Sequence, residues 1–319
     1  MTVAASDFGT EHKPLVGIAM KIASVSIFLA MSALIKAAGN VPAGQIVFFR
    51  SFFAIFPIVV MLAWQRELGT AFHTKHPMGH VLRAIVGVAS MGFGFFGLTR
   101  LPLPEAVTLS YAQPLLVVVF SAIFLHETIR IYRWSAVLIG FVGVVIIAWP
   151  NLTLFAGDGP GMETEQAIGV IATLVGAAFS AVAMLLVRRL VHTEKTSTIV
   201  MWFSVTATVI SLGTIPFGWV WLSFWQFLFL AGAGICGGIA QIFMTQCYRH
   251  AELSTIAPFE YTSMVLAIVV GYFAFSDIPT IYTLVGGLIV VVAGLLIIWR
   301  ERRLGLKRVA ARRFVPPSP

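Results

Sequence analysis

Residues 103–149 read LPEAVTLSYAQPLLVVVFSAIFL, then HETIRIYR, then WSAVLIGFVGVVIIAW. Two apolar spans flank a short polar turn, and each is near the length that crosses a bilayer as a helix, about 20 residues. The pattern returns 150 positions later as LSTIAPFEYTSMVLAIVVGYFAF, SDIPTIY and TLVGGLIVVVAGLLIIW, residues 253–299. Tyr111 falls on Tyr261, Glu127 on Asp277 and Trp149 on Trp299. This period is too long for a solenoid unit and suits a duplicated membrane half.

Composition extends the reading to the whole chain. Of 319 residues, 59% are hydrophobic and 11% charged, against about 25% charged in a soluble domain. Charge this sparse cannot cover a water-facing surface, so lipid is the expected solvent. The net charge of +8 invites a nucleic-acid reading, but the positions of the charges point to membrane lipid instead. Cys236 and Cys247 lie on one predicted helix about 16 Å apart, beyond disulfide reach, and read as packing residues. The first residues, MTVAASDFGTEHKP, are acidic without a basic region, so no cleaved signal peptide is expected.

Hydropathy predicts an all-α integral membrane protein of ten transmembrane helices, near 15–36, 43–64, 80–99, 104–125, 132–150, 167–187, 198–218, 226–247, 254–275 and 280–299. Two connections are long, 65–79 and the acidic 151–166 with Asp158, Glu163 and Glu165. Asn151-Leu152-Thr153 matches a glycosylation sequon, a pattern short enough to arise by chance. Lys and Arg alternate between loops. One set carries Lys13, Arg66, Lys75, Arg83, Arg130, Arg133, Arg188, Arg189, Lys195, Arg249 and the tail 300–313; the other holds Lys36 and Arg100. The positive-inside rule makes the first set cytoplasmic, with both termini inside the cell membrane. The basic tail, 300–319, is expected to rest on anionic lipid.

Five spans per half is an odd number, so the halves, 14–149 and 167–299, must be inverted relative to one another. Gly17 and Lys36 match Gly169 and Arg188 at an offset of 152, and Gly87 matches Gly237 at 150. Inverted repeats place a substrate site where the halves meet near the midplane. Gly234-xxx-Gly238, Ala136-xxx-Gly140, Gly143, Gly286, Gly287 and Gly294 mark close helix packing, as does the stripe Gly169, Thr173, Ala177 and Ala181.

Charged residues inside spans cost about 2.5–3.5 kcal/mol at the centre. Lys21, Lys36, Arg50, Glu105 and Glu260 need an explanation. Lys36 and Glu105 are expected to snorkel to the interface. Arg50 and Glu260 sit too deep for that. They read either as a buried pair or carbonyl-bonded residues fixing the bundle, or as substrate ligands, with Glu260 also a candidate for proton coupling. Arg50 has Phe203 at its matching position, an offset of 153. Pro114 and Pro258 free the carbonyls of Ser110 and Ser254 beside Tyr111, Gln113, Tyr261, Thr262 and Ser263, and Gln241 lies in the eighth span. These side chains either line a polar cavity or hydrogen-bond between helices. The seven histidines read as lying outside the spans, so His73, His76 and His80 are expected to be solvated rather than metal-bound. No P-loop, H-E-x-x-H or G-x-S-x-G motif is present, and no cofactor is expected.

GQIVFFRSFFAIFP, PLLVVVFSAIFLHE and GFVGVVIIAWP in the first half, with YRHAELSTIAPFEYTSM and GGLIVVVAGLLIIW in the second, resemble the drug/metabolite transporter superfamily, in particular carriers with two EamA repeats. Where many members carry Glu after the ninth span, this chain has Asp277. The resemblance implies ten helices, an inverted repeat and alternating access. Helices one to four and six to nine would surround the cavity, with five and ten outside. FFRSFFAIFP and APFEYTSM are most similar to bacterial S-adenosylmethionine and riboflavin carriers. The expected function is secondary transport of a small polar organic metabolite, bound by Arg50, Lys21, Tyr111, Gln113, Gln241, Glu260 and Tyr261. The alternatives are export of amphiphilic compounds, a membrane enzyme acting on lipid-linked substrates, and a sensor.

Overall fold

The computed structural model describes residues 14–74, 76–125, 131–152, 162–191, 193–250 and 256–313. They form helices joined by turns: α1 (Pro14–Ala37), α2 (Ala43–Trp64), α3 (Pro77–Leu98), α4 (Leu103–Ser110), α5 (Ala112–Leu125), α6 (Ile131–Leu152), α7 (Met162–Val191), α8 (Thr196–Leu212), α9 (Phe224–His250), α10 (Thr262–Phe275) and α11 (Ile281–Arg313). Proline opens several of them. Pro42 precedes α2, Pro77 starts α3 and Pro102 precedes α4, where a missing amide costs nothing.

Seven helical spans are long and apolar enough to cross a membrane, while Trp134–Pro150, Ser197–Leu212 and Phe259–Phe275 are apolar but shorter. Trp64, Phe273, Ile281 and Leu288 are exposed on the outside of the bundle, as a lipid-facing surface requires.

Contacts follow an exchange pattern. α1 packs on α9, and α3 packs on α7; α2 meets α8, α4 meets α10, and α6 meets α11. Under the repeat offset, α7 takes the place of α1 and α9 that of α3, so the first two contacts are images of each other. The α6–α11 contact depends on absent side chains. A Cβ on Gly143 would stand 2.7 Å from the Gly286 carbonyl oxygen, and one on Gly286 would strike the Gly143 carbonyl in return. Gly286→Leu is therefore expected to pry α6 from α11 and lower the unfolding midpoint, since overpacking costs about 1–3 kcal/mol. Leu288→Ala, at a side chain 62% exposed, is the control; equal midpoints for the two variants would refute the close contact.

Several expectations about spans need correction. The fourth span is two helices. Pro114 has no amide for the Ser110 carbonyl, and the chain tightens at Tyr111, whose amide bonds Thr108 O at 3.1 Å. Pro258 does not interrupt an α-helix; it opens a 3-10 turn, Ala257–Tyr261, that runs into α10, and Ser254 lies outside the described residues. The seventh span stops at Leu212, followed by a 3-10 turn, Ile215–Phe217, and Gly218 at φ 95°. Gln45 holds the next segment through both bonds to Val220, 2.9 and 3.1 Å. α11 runs unbroken through the basic stretch to Arg313. Lys13, Lys75, Glu127, Arg130 and Asp158 lie outside the described residues.

Candidate functional site

A cavity of about 210 Å³ lies between α1, the α4–α5 break, α9 and the start of α10, lined among others by Ser32, Ser110, Tyr111, Gln113, Met244 and Glu260. Lys21 lies behind the lining side chains, 1% exposed, and reaches two of them. Its Nζ lies 3.3 Å from Met244 Sδ and 3.5 Å from Glu260 Oε2. Of the readings left open for Arg50 and Glu260, the ion pair between them is not formed: Glu260 pairs with Lys21 instead. The pair is unequal, because the Glu260 side chain is 45% exposed and keeps much of its hydration. A thioether is a weak acceptor, so Lys21 depends on that carboxylate.

The break in the fourth span places Tyr111 at the centre. Its hydroxyl hydrogen-bonds Ser263 Oγ and lies 3.5 Å from Glu260 O, to which Ser263 Oγ also donates at 2.7 Å. Its ring meets that of Tyr261 edge-on, with centroids 5.2 Å apart. Tyr261 is absent from the cavity lining: its hydroxyl lies against Gly294 of α11, where a Cβ would collide with it. It backs the Tyr111 ring. Gln113 lines the cavity as expected. Gln241 is half-buried on α9, at i+4 from Gly237 and three residues before Met244, and so shares their face.

Arg50 lies apart from Glu260. It is 7% exposed, packs beside Gly237 of α9, and its guanidinium carbon is 5.8 Å from the Phe203 ring centroid. Arg83 sits on the same ring at 3.5 Å. Nε of Arg50, and Nε and Nη1 of Arg83, are sealed from solvent without a hydrogen-bond partner. A cation over a desolvated ring gains about 2 kcal/mol, but a ring face leaves the in-plane N–H donors unsatisfied. Sequence reasoning missed Arg83 by counting it with the cytoplasmic loops; Pro77, a helix-start signal, places it nearly two turns inside α3. The same correction applies to His80. It is 1% exposed in α3 and stacks on Trp202 at 5.6 Å, and neither ring nitrogen has a partner.

Lys36 does not snorkel. Its Nζ bonds Asp277 Oδ2 at 2.8 Å and Leu101 O at 2.7 Å, and Asp277 Oδ2 also accepts the Leu103 amide at 2.9 Å. This latch joins the end of α1, the α3–α4 turn and the α10–α11 turn. Lys21 and Lys36 are 15 residues apart on α1, about 22 Å, with the cavity between them. Glu105 is likewise buried, at 6%, in the first turn of α4, where the helix dipole favours a carboxylate. Among the described residues, no cluster of His, Cys, Asp and Glu could hold a metal ion.

Membrane-length helices that converge on buried charges and one polar cavity are the parts of a multi-pass membrane transporter. The EamA-like transporter family matches residues 15–149 and 167–300, and the chain belongs to it. It is a transporter rather than an enzyme. The chain is 27% identical to the pseudopaline exporter CntI of Pseudomonas aeruginosa over 282 residues, 87% of this chain and 94% of that one. It is 26% identical to the S-adenosylmethionine uptake transporter of Rickettsia felis over 260 residues, 81% and 84% of the two chains. It is 27% identical to the riboflavin transporter of Rhizobium johnstonii over 256 residues, 78% and 79%. A solved crystal structure shares the fold with a TM-score of 0.60 at 21% identity, covering 90% of this chain and 98% of its own.

Proposed function

We propose that the protein is a secondary carrier of a small zwitterionic metabolite in the cytoplasmic membrane, working by alternating access between ten spans in two inverted halves. The observation that carries this reading is that Glu260 of the second half lines the cavity while pairing with Lys21 of the first half, which is buried behind it. A substrate with a carboxylate and a cationic group can separate that pair, giving Lys21 an anion and Glu260 a cation. Tyr111 and Gln113 supply hydrogen bonds, Gln241 lies within one turn of the pair, and Tyr261 holds Tyr111. When no cationic group is bound, a coupling proton takes its place on Glu260. The exchange-related contacts α1–α9 and α7–α3 support the inversion. The Lys and Arg asymmetry supports termini on the cytoplasmic side, which puts the Lys36–Asp277 latch outside and makes this conformer closed outward.

S-adenosylmethionine, riboflavin and a panel of neutral amino acids, each labelled, test this in proteoliposomes loaded with the same unlabelled compound. Saturable counterflow of a zwitterion, absent from empty vesicles, is expected. An aromatic groove of about 670 Å³ near Phe48, Phe49, Trp219 and Trp221 favours a second reading, export of an amphiphile. Counterflow of ethidium with none of any zwitterion would favour that reading and overturn ours.

A further inference from the structure

The two arginines that share Phe203 lie outside the cavity lining and are not used by the zwitterion mechanism. They come from α2 and α3 and rest on a ring from α8, and Arg50 also abuts α9 at Gly237. Gly87 of α3 leaves room for that ring, since a Cβ there would stand 2.7 Å from Phe203 Cε2. Neither guanidinium forms a hydrogen bond or ion pair with a described residue. Among the described acids on this side of the bundle, Glu67 accepts from Lys195 at 2.9 Å and Glu194 from Thr74 at 2.8 Å, and Glu194 also acts electrostatically on His80. His80, one turn before Arg83 on the same face, adds two ring nitrogens without a hydrogen bond.

Two positive charges at membrane depth need an anion, a carbonyl or water, and no described residue supplies the first two. Guanidinium forks match planar or tetrahedral oxyanions with paired hydrogen bonds. We infer that Arg50 and Arg83, joined on Phe203 and with His80 one turn from Arg83, form a second binding site, for a carboxylate or phosphate group of a solute. The inference rests on the transporter reading, because it assigns this site to an exchanged anion, separate from the carboxylate that Lys21 takes.

Citrate and inorganic phosphate are the probes, added to the purified full-length protein in detergent at constant ionic strength against chloride. Ligands of the folded state raise its unfolding midpoint. Saturable stabilisation by at least one of the two is expected. The apparent affinity should fall tenfold or more in Arg83→Gln and in Arg50→Gln and stay unchanged in the lipid-facing control Leu288→Ala. Arg83→Lys keeps the charge without the fork and should fall severalfold; it also serves if the glutamine variants do not fold. No saturable effect on the wild-type protein overturns the site, as does undiminished affinity in a folded Arg83 variant. Phosphatidylglycerol stabilising the protein through Arg83 where neither soluble anion does would identify a lipid headgroup and also overturn it. The readout is binding, so these outcomes leave zwitterion counterflow at Lys21–Glu260 standing or falling on its own measurement.

Discussion

Glu260→Gln is expected to lower counterflow of the carried zwitterion by about 100-fold while leaving the fold in place. The change is nearly isosteric but removes the charge that faces Lys21 at 3.5 Å. A hydrogen bond to a charged group contributes about 1.5–3 kcal/mol, so losing the substrate's cation partner alone accounts for 10- to 100-fold. Under the proposed coupling, losing a carboxylate that can carry a proton adds to this. Stability should also drop, because Lys21 is 1% exposed and is left with a thioether. The exposed half of the Glu260 side chain keeps that drop below the 3–5 kcal/mol typical of breaking a fully buried pair. The double variant Lys21→Gln with Glu260→Gln removes both charges and should regain most of the lost stability without regaining flux. Near-normal flux in either variant would show that the pair is structural. Thermal unfolding and counterflow on the same preparations separate these outcomes.

Asp277→Ala is expected to open the other end. One carboxylate oxygen holds both Lys36 and the Leu103 amide, at 2.8 and 2.9 Å, and Lys36 and Asp277 are each only 16% exposed. Removing one partner of a largely buried pair costs on the order of 3 kcal/mol, and each 1.4 kcal/mol is a factor of ten in a conformational ratio. The conformer closed at the Lys36 end should therefore lose its majority. Asp277→Cys in a protein lacking Cys236 and Cys247 reports this directly through an impermeant thiol reagent. Rapid labelling from outside is expected, and labelling only from inside would reverse the proposed orientation. Combining Lys36→Asp with Asp277→Lys restores opposite charges and should recover part of the flux, although the Leu103 amide stays without its acceptor.

Much of this was legible in the chain. Hydropathy located the apolar spans, and the 150-residue offset paired Tyr111 with Tyr261, whose rings touch. The offset of 153 paired Arg50 with Phe203, which also meet. Intramembrane charge singled out Lys21, Arg50 and Glu260. Partnership was not legible, because spacing along a helix does not say which neighbouring helix supplies a counter-charge. Lys36 looked free to snorkel only because Asp277 lies 241 residues away. Tyr261 looked like a ligand because its neighbours are polar, yet the gap left by Gly294 takes its hydroxyl. Arg83 was hidden by the positive-inside pattern itself, since a cation two turns inside a helix counts as loop charge when the span is started too late.

The meeting of Arg50 with Phe203 and of Tyr111 with Tyr261 has an energetic consequence. In the proposed alternating-access cycle, where inverted halves would trade conformations, most contacts would turn into their repeat image elsewhere in the molecule. A contact between two repeat-related residues would turn into itself. It would act as a fulcrum, present with similar geometry on both strokes of that cycle. Its free energy enters both conformers alike and cancels from their ratio. Substitutions at these four positions should thus move total stability and leave the resting distribution of conformers nearly unchanged. Substitutions at Lys36 or Asp277, which have no such self-image, should do the reverse.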